Sequence, residues 1–278
     1  MEPNTENASK QWLPRVLIGL GIAAVTIPAA VVTYQLVTWP DVESLARQNP
    51  RSTAFIERFL EVEGGSASLS WMWTDWEDIS PAVKAAVLVA EDIEFFGHDG
   101  FSRSEMKAAF EDAIKTGDLR GASTLTQQLA KNLWLSPSRN PLRKVKEAIL
   151  TMQIEKYLSK ERIFELYLNV AQFGNGVYGV EAASRTYFAK TANRLSRGEG
   201  AMLAASLTRP STWNPSRITA AYRARAGRIE DLMNLHGDFL ERRVGLPWYG
   251  GGSATLETST TPNTPPDDGR LASNQTRR

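Results

Sequence analysis

Glu91 is the residue of this 278-residue chain whose surroundings best suit acid–base chemistry. It follows the apolar run VKAAVLVA and precedes a second acid, Asp92. A carboxylate at the end of such a run is expected to lose part of its hydration, which raises its pKa and suits it to act near neutral pH. A plain charged helix end is the alternative, although acids there oppose the helix dipole. We take Glu91 as the candidate acid or base, with Asp92 and His98 orienting the neighbouring loops.

Residues 121–132, read GASTLTQQLAKN, predict a helix with one dry and one polar stripe. The two stripes recur every four residues, as Leu125, Leu129 and Leu133 and as Ser123, Gln127 and Lys131. The polar stripe offers a hydroxyl, an amide and one cation without an acid, which suits a polar, anionic ligand. An ordinary capping box, Thr124-x-x-Gln127, explains the same residues, and this segment alone does not decide between the two.

Four cations surround one acid in the segment 139–147, read RNPLRKVKE. Arg143 and Glu147 are four residues apart and can pair along a helix. That pairing leaves Arg139, Lys144 and Lys146 without an acid. The surplus suits a phosphate or pyrophosphate cradle, in which Arg forks and Lys point charges are used. A basic helix on an ordinary surface is the alternative.

A fourth polar block, 159–169, is read SKERIFELYLN. Ser159 can cap a helix here, and Ile163, Leu166 and Tyr167 form an apolar stripe. Structural support of the site is therefore expected from this block rather than direct catalysis.

The elements that must position these residues are helices. Good helix formers dominate residues 81–245, Pro and Gly fall mainly between segments, and no alternating strand pattern of any length occurs. We predict a mainly α domain over 81–245. The expected helices lie near 81–91, 103–116, 123–135, 141–158, 159–170, 177–187, 196–207 and 217–243.

Residues 16–40 carry no charge and are long enough to cross a bilayer core, which needs about 20 apolar residues. Cations precede this run and acids follow it, so the positive-inside rule places a tail of residues 1–15 in the cytoplasm and the body outside. A cleaved signal peptide fits less well, because its apolar region is only about 7–15 residues long. A buried core helix is the other alternative.

The segments flanking the predicted domain differ in composition. Residues 41–80 form a mixed juxtamembrane segment in which Trp71, Trp73 and Trp76 can rest on lipid headgroups or pack into the domain. Residues 249–278 are rich in Gly, Ser, Thr and Pro, cannot bury a core and are expected to be disordered.

The amino-acid composition argues against two kinds of binding site. The chain has no cysteine and two histidines, which argues against a His/Cys zinc site, while an all-carboxylate site for Mg²⁺ or Ca²⁺ stays open. The formal net charge of +1 argues against a general nucleic-acid binder.

Together the four blocks resemble, in order, the motifs of the peptidoglycan glycosyltransferases of family 51. The matching motifs are Glu91-Asp92-x-x-Phe95-x-x-His98-x-Gly100, GASTLTQQLAKN, Arg143-Lys144-x-x-Glu147 and Lys160-x-x-Ile163-x-Glu165-x-Tyr167-Leu168-Asn169. The short length, the single anchor and the missing penicillin-binding domain resemble the monofunctional biosynthetic form. Ser102 departs from the pattern, because the family usually has Asp there, and this puts any role of that position in doubt.

The resemblance implies a lysozyme-like helical glycosyltransferase domain behind one N-terminal transmembrane helix. It also implies polymerisation of lipid II onto a growing glycan strand, with inversion at the anomeric carbon and release of undecaprenyl pyrophosphate. The expected location is the bacterial inner membrane, with a single pass, a cytoplasmic N-terminus and a periplasmic catalytic domain. Other cell-wall synthesis proteins are expected partners, and nucleic acid is not.

Site residues follow from the same resemblance. Glu91 is implied as the general base, and Glu147 as a second catalytic group that acts directly or through a divalent cation, Mg²⁺ or Mn²⁺. No organic cofactor is implied. The implied substrate-binding residues are Ser123, Gln127, Lys131, Arg139, Arg143 and Lys146. The implied supporting residues are Asp92, Phe95, His98 and Asn132.

Two other functions stay open at this point. A lysozyme-type lytic glycosidase shares the helical fold and a catalytic Glu, but it does not need cations around a diphosphate. A catalytically inactive, membrane-anchored cell-wall scaffold predicts a damaged motif, and only Ser102 departs from the pattern.

Overall fold

The computed structural model describes residues 6–64, 68–104, 106–107, 123–135 and 141–246, and this part of the chain is mainly helical, as expected. Its longer helices are α1 (Glu6–Val37), α2 (Ala54–Glu63), α3 (Pro81–Glu91), α4 (Leu125–Trp134), α5 (Pro141–Tyr157), α6 (Lys160–Val170), α7 (Val180–Phe188), α8 (Arg197–Ser206), α9 (Ala220–Leu235) and α10 (Gly237–Val244). Single 3₁₀ turns lie at Glu43–Ala46, Trp76–Asp78, Phe95–Gly97 and Ala192–Arg194.

Side-chain caps explain where several helices begin. Ser80 accepts a hydrogen bond from the backbone N of Ala82 at 3.1 Å, and Pro81 occupies the first turn of α3. Ser159 caps α6 in the same way, through the backbone N of Arg162 at 3.2 Å. Because such caps are local sequence signals, the predicted starts of these helices lie within one residue of the observed ones.

A small sheet is the main departure from the predicted elements. Its strands are β1 (Ser70–Trp71), β2 (Gln172–Gly174) and β3 (Val177–Tyr178), in the order β1-β3-β2, with β1 parallel and β2 antiparallel to β3. The helix predicted over 177–187 therefore begins too early. Gly176 and Gly179, which flank β3, have φ values of +70° and +80°. These values do not fit a right-handed helix, so the helix begins only after Gly179. Strands of two or three residues are too short to show an alternating pattern.

Other predicted boundaries differ as well. The helix predicted over 217–243 is two helices, α9 and α10, that meet at His236. Helix α2 was not predicted; Thr53 caps it by accepting from the backbone N of Ile56 at 3.1 Å. Most of the helix predicted over 103–116 and the whole tail 249–278 lie outside the described residues.

The core begins before residue 81, where the domain was expected to start. Val42, Leu45 and Ile79 are buried in the same apolar cluster as helices α3 to α9. Trp73 and Trp76 pack against this cluster. The segment 41–80 is thus part of the folded body, and for its tryptophans the packing alternative fits the structure.

Helices α3, α8 and α9 form a tightly packed unit that carries Glu91 at the end of α3. A Cβ atom on Gly200 of α8 would lie 3.0 Å from the carbonyl oxygen of Ala82 of α3, so the two helices approach closely because this residue is glycine. The buried Tyr222 of α9 donates from its hydroxyl to the carbonyl oxygen of Met202 of α8 at 2.8 Å. These contacts fix α9 relative to α3.

Helix α1 is 32 residues long. Within the part of the chain that the structure describes, no helix combines the length and the mean hydropathy that a membrane span requires.

Candidate active site

Glu91 is held by Gln128 of α4, a residue that was not predicted from the sequence. The Gln128 amide Nε2 donates to Glu91 Oε2 at 3.0 Å, and its Oε1 accepts from the hydroxyl of Tyr167 at 3.0 Å. Tyr167 lies on α6 and is 1% exposed. One amide therefore connects the last residue of α3 to the core of the protein through α6.

Burial governs the protonation of Glu91. It raises the pKa of the Glu91 carboxyl, as expected, and the Gln128 hydrogen bond and the positive charges of Arg225 and Lys131 oppose this rise without cancelling it. The neighbouring charge of Asp92 raises the pKa slightly further. A carboxyl with a raised pKa can take up a proton near neutral pH, which is the property needed in a general base.

Gln127 has a structural task in this arrangement. Its Oε1 accepts from the backbone N of Thr124 at 3.0 Å, while the Thr124 side chain accepts from the backbone N of Gln127, so the predicted capping box is confirmed. Ser123 is half-buried at the start of α4, where its carbonyl oxygen accepts from Gln128 Nε2 at 3.3 Å. The predicted dry stripe is also confirmed, because its three leucines are buried: Leu125, Leu129 and Leu133.

Lys131 lies one turn after Gln128 on α4 and is half-buried. Within the described part of the chain, its ammonium group has neither a hydrogen bond nor an ion pair. Burial lowers the pKa of Lys131, and the charge of Glu147 opposes this. The charges of Arg143 and Lys144 lower the pKa further, so these three residues of α5 lie within electrostatic range of Lys131.

Glu147 is buried between two cations of its own helix. Arg143 Nη1 lies 3.0 Å from Glu147 Oε2, which confirms the predicted pairing. Lys144 Nζ donates to the other oxygen at 2.5 Å, so the expectation that Lys144 has no acid partner is wrong. Two pairings are possible because positions three and four residues apart share one face of a helix.

Two predicted ligand-binding cations are not seen with this group. Lys146 Nζ donates to Gln35 Oε1 of α1 at 3.1 Å and lies 5.4 Å from the ring centre of Trp39. Adjacent residues of a helix point in different directions, which separates Lys146 from Glu147. Arg139 lies outside the described residues.

Glu147 is the residue that was predicted as a candidate metal ligand. No group of three His, Cys, Asp or Glu side chains that could hold a metal ion occurs among the described residues. Both Glu147 oxygens also accept from cations. The described residues therefore do not fit a metal site built from protein ligands alone.

Asp92 and His98 orient the loop beside Glu91, as predicted. Asp92 Oδ2 accepts from the backbone N of Leu125 at 3.0 Å, and both of its oxygens lie 3.1 Å from His98 Nε2. The backbone N of Gly100 donates to His98 Nδ1 at 3.1 Å, so Nδ1 is the acceptor nitrogen. His98 Nε2 therefore carries the hydrogen and donates the hydrogen bond to Asp92. Thr124 Oγ1 donates to the Gly100 carbonyl at 2.7 Å. The loop is thereby joined to the start of α4.

The remaining supporting residues are buried beneath the site. Phe95 is fully buried, and Lys160 Nζ lies 4.4 Å from its ring centre and donates to Glu155 Oε1 at 2.9 Å. Asn132 is buried beside Lys131 on α4. Lys160 belongs to the fourth block, so structural support from that block agrees with expectation.

Ser102, the position that departs from the resemblance, is buried in the same loop. Its hydroxyl donates to Glu94 Oε2 at 2.8 Å. Ser104 donates to the same oxygen. Ser102 thus takes part in holding Glu94.

Comparison with known proteins places the chain in a family. The family model described as Transglycosylase matches residues 60–234, which include Glu91, Gln128, Lys131, Glu147 and Arg225. Similar proteins include the biosynthetic peptidoglycan transglycosylase of Thiobacillus denitrificans, 42% identical over 220 residues that cover 78% of this chain and 94% of that protein.

Two further relatives have the same name. The protein of Methylobacillus flagellatus is 40% identical over 73% of this chain and 90% of its own length, and that of Pseudomonas entomophila is 45% identical over 68% and 80%. The resemblance drawn from the four motifs is confirmed: the chain belongs to the transglycosylase family and is a glycosyltransferase.

Proposed function

We propose that this glycosyltransferase acts in cell-wall synthesis by polymerising lipid II into peptidoglycan glycan strands, with inversion at the anomeric carbon and release of undecaprenyl pyrophosphate. The family and the names of the relatives support the peptidoglycan substrate. The observation that carries the finer assignment is Lys131, a half-buried cation without an ion pair among the described residues, one turn from the amide that holds Glu91. A base beside an unpaired cation suits attack by a sugar hydroxyl and departure of an anionic diphosphate.

In this proposal Glu91 takes the proton from the 4-hydroxyl of the acceptor sugar as that oxygen attacks C1 of the donor MurNAc. The bond from C1 to the diphosphate oxygen breaks, and its electron pair leaves with the diphosphate. Attack from the face opposite the leaving group inverts the anomeric carbon. Gln128 keeps the Glu91 carboxylate in place, and Tyr167 keeps Gln128 in place.

The leaving diphosphate is assigned to the cations near Lys131. Among the described residues, Lys131 lies within electrostatic range of Glu147 and of the two cations that pair with it, Arg143 and Lys144, so these four residues together carry more positive than negative charge. Preorganised positive charge stabilises a leaving group without requiring a strong acid. Glu147 is assigned to holding Arg143 and Lys144, because both of its oxygens accept from them. Ser123 and Arg139 remain proposed substrate contacts.

The lytic glycosidase fits the site less well. A glycosidase uses a pair of carboxyl groups on either side of the scissile bond. Two acids of the described residues, Asp92 and Glu147, are already engaged: Asp92 by Leu125 and His98, and Glu147 by its two cations. The inactive scaffold predicts a damaged site, whereas Glu91 and Lys131 stand together with a supporting amide.

We also propose that residues 16–40 anchor the chain in the bacterial inner membrane, with a cytoplasmic N-terminus and a periplasmic catalytic domain. The end of this segment contacts α5 through Trp39, whose Nε1 donates to Gln153 Oε1 at 2.7 Å. Apolar side chains at helical spacing are exposed on α5: Leu142, Val145, Ile149 and Met152. A lipid-linked substrate gives such an apolar face a use, and partner cell-wall synthesis proteins are expected at the same membrane.

The test is an assay of the purified full chain with lipid II, with and without Mg²⁺. We expect long glycan strands and released undecaprenyl pyrophosphate. Glu91→Gln should lose at least about a hundredfold in turnover, because general-base catalysis contributes about 10²–10⁴-fold. Its thermal unfolding midpoint should stay close to that of the wild type. Glu161→Gln, an exposed acid on α6, is the matched control and should keep full turnover.

Two results would contradict the proposal. Cleavage of finished peptidoglycan without polymerisation would favour the lytic glycosidase. Near-normal turnover by Glu91→Gln would remove Glu91 from the role of base. A rate that depends on Mg²⁺ would indicate that a divalent cation binds together with the diphosphate.

A further inference from the structure

Arg225 of α9 contacts the end of α3. The two residues in contact are 135 positions apart in the chain, so no local sequence motif indicates this contact. Arg225 Nη2 donates to the carbonyl oxygen of Ala90 at 3.0 Å. Ala90 is the residue before Glu91, in the last turn of α3. The last carbonyls of a helix have no partner within the helix, so this contact supplies one for the turn that carries Glu91.

The guanidinium of Arg225 is not neutralised by a structural partner. Its buried Nε has no hydrogen-bond partner, and no ion pair joins it to an acid of the described residues. The Arg225 side chain is half-buried, and a charge that has lost part of its hydration costs free energy unless another group compensates it. The acid on which its charge is seen to act is Glu91.

The remaining groups that act on Glu91 come from α4, from α6 and from the loop that follows α3. Lys131 of α4 and Asp92 are the other charges that act on it, Gln128 is its hydrogen-bond partner, and Tyr167 of α6 is kept neutral by burial, which raises its pKa well above the usual range. Helices α8 and α10 also pack on α3, and no charge from their described residues is seen to act on Glu91.

We propose that Arg225 is a positioning residue for Glu91: its guanidinium holds the last turn of α3 through Ala90, and its unpaired charge keeps the Glu91 carboxylate ionised. This inference rests on the proposed role of Glu91 as the base. Burial alone favours the neutral carboxyl, which cannot accept the proton of the acceptor hydroxyl. Arg225 therefore extends the pH range in which the base is ready.

The two parts of this role can be separated by substitution. Arg225→Gln keeps an amide donor for the Ala90 carbonyl and removes the charge, whereas Arg225→Lys keeps the charge and loses the fork. The matched control is Arg228→Gln, on an exposed position of the same helix. Thermal unfolding of each full-length variant shows whether it is folded.

The first measurement is the pH dependence of lipid II polymerisation. Arg225→Gln should lose turnover relative to the wild type at the acidic end of the pH range, and the deficit should shrink as the pH rises and Glu91 ionises. Arg225→Lys should follow the pH profile of the wild type, and Arg228→Gln should match the wild type throughout. A loss that is the same at every pH would assign Arg225 to structural support only and overturn the proposal.

The second measurement does not depend on activity. In protein labelled with ¹³C at the Glu carboxyl carbons, the signal absent from Glu91→Gln identifies Glu91. Its titration should move to higher pH in Arg225→Gln and stay in place in Arg228→Gln. An unmoved titration overturns the role of Arg225 even if the wild type polymerises lipid II. A wild type without polymerisation contradicts the proposed function, while this titration still decides whether Arg225 acts on Glu91.

Discussion

Replacing Gln128 with methionine tests the central contact of the site. The substitution keeps the length of the side chain and removes both of its polar atoms. Glu91 then loses its amide donor, and the buried hydroxyl of Tyr167 loses its acceptor. We expect one effect on stability and a separate effect on the pH dependence of turnover.

The effect on stability follows from the unpaired hydroxyl. Leaving a buried donor without a partner costs about 1–3 kcal/mol, whereas removing both partners of a hydrogen bond is nearly neutral. Gln128→Met should therefore lower the free energy of unfolding by about 1–3 kcal/mol. The double variant Gln128→Met/Tyr167→Phe should recover about 1 kcal/mol of this, a coupling typical of residues in contact.

The effect on pH follows from Glu91. Its folded pKa is raised above the unfolded value, so between these values the folded state binds more protons and stability falls as the pH rises. The Gln128 hydrogen bond lowers the pKa of Glu91, and its loss increases this slope. The stability deficit of Gln128→Met should therefore be larger at about pH 8 than at about pH 5. The acidic limb of its rate profile should move to higher pH.

Urea unfolding at several pH values and lipid II polymerisation measure the two effects. Gln127→Met is the matched control, because it removes a capping-box amide next to Gln128. It should cost about 0.5–2 kcal/mol of stability and leave the pH profile of turnover in place. The reasoning would be refuted if Gln127→Met moved the pH profile of turnover and Gln128→Met did not. That result would mean that Gln127, and not Gln128, supports Glu91.

Two lysines give further predictions. Lys131→Met should reduce polymerisation by at least about a hundredfold, because it removes one preorganised charge at a developing anion. The unfolding midpoint should not fall. A clear loss of stability would show instead that Lys131 has a structural partner. Lys84 has its pKa lowered to about 8, mainly by burial, so between that value and the ordinary 10.5 the unfolded state binds more protons and stability rises with pH. In urea unfolding, the wild type should therefore gain stability relative to Lys84→Met across that range, and a pH-independent difference would contradict the burial argument.

Local patterns predicted the features that depend on neighbours in the chain. The cap at Ser159, the capping box at Thr124 and the ion pair between Arg143 and Glu147 follow from residues within four positions of each other. The buried leucines of α4 follow from their period. Glu91 was selected because the run before it is apolar, and the structure shows why, since α3 is buried along most of its length.

The missed residues depend on contacts between distant elements. Gln127 and Gln128 are identical in type, and the contacts of Gln128 with Glu91 and with Tyr167 on α6 join elements that are distant in the chain. A capping box does, however, engage the Gln at its third position, and this signal could have directed attention to Gln128. Arg225 carries no local signal, because its contact with Ala90 spans 135 residues. The strands of the small sheet were missed because they are too short to show a period.

Glu91 and Asp92 are adjacent acids, and their partners give them different tasks. Asp92 accepts from the start of α4 and from His98, so both of its oxygens are engaged in holding the loop. Glu91 has one amide donor and retains acceptor capacity for an incoming hydroxyl. Glu91 is therefore the acid of this pair that can accept a hydrogen bond from an incoming hydroxyl, although both carboxylates lie at the same helix end.

Helix α4 sets the spacing between the residue that holds the proposed base and the residue assigned to the leaving group. Gln128, which holds the base, and Lys131, assigned to the leaving group, are three residues apart, or about 4.5 Å along the helix axis. The N-terminus of α4 is fixed by Asp92 and the Thr124 cap, and its leucine stripe is fixed in the core. Because one rigid helix carries both residues, we expect α4 to hold the proposed acceptor hydroxyl and the departing diphosphate at a fixed separation.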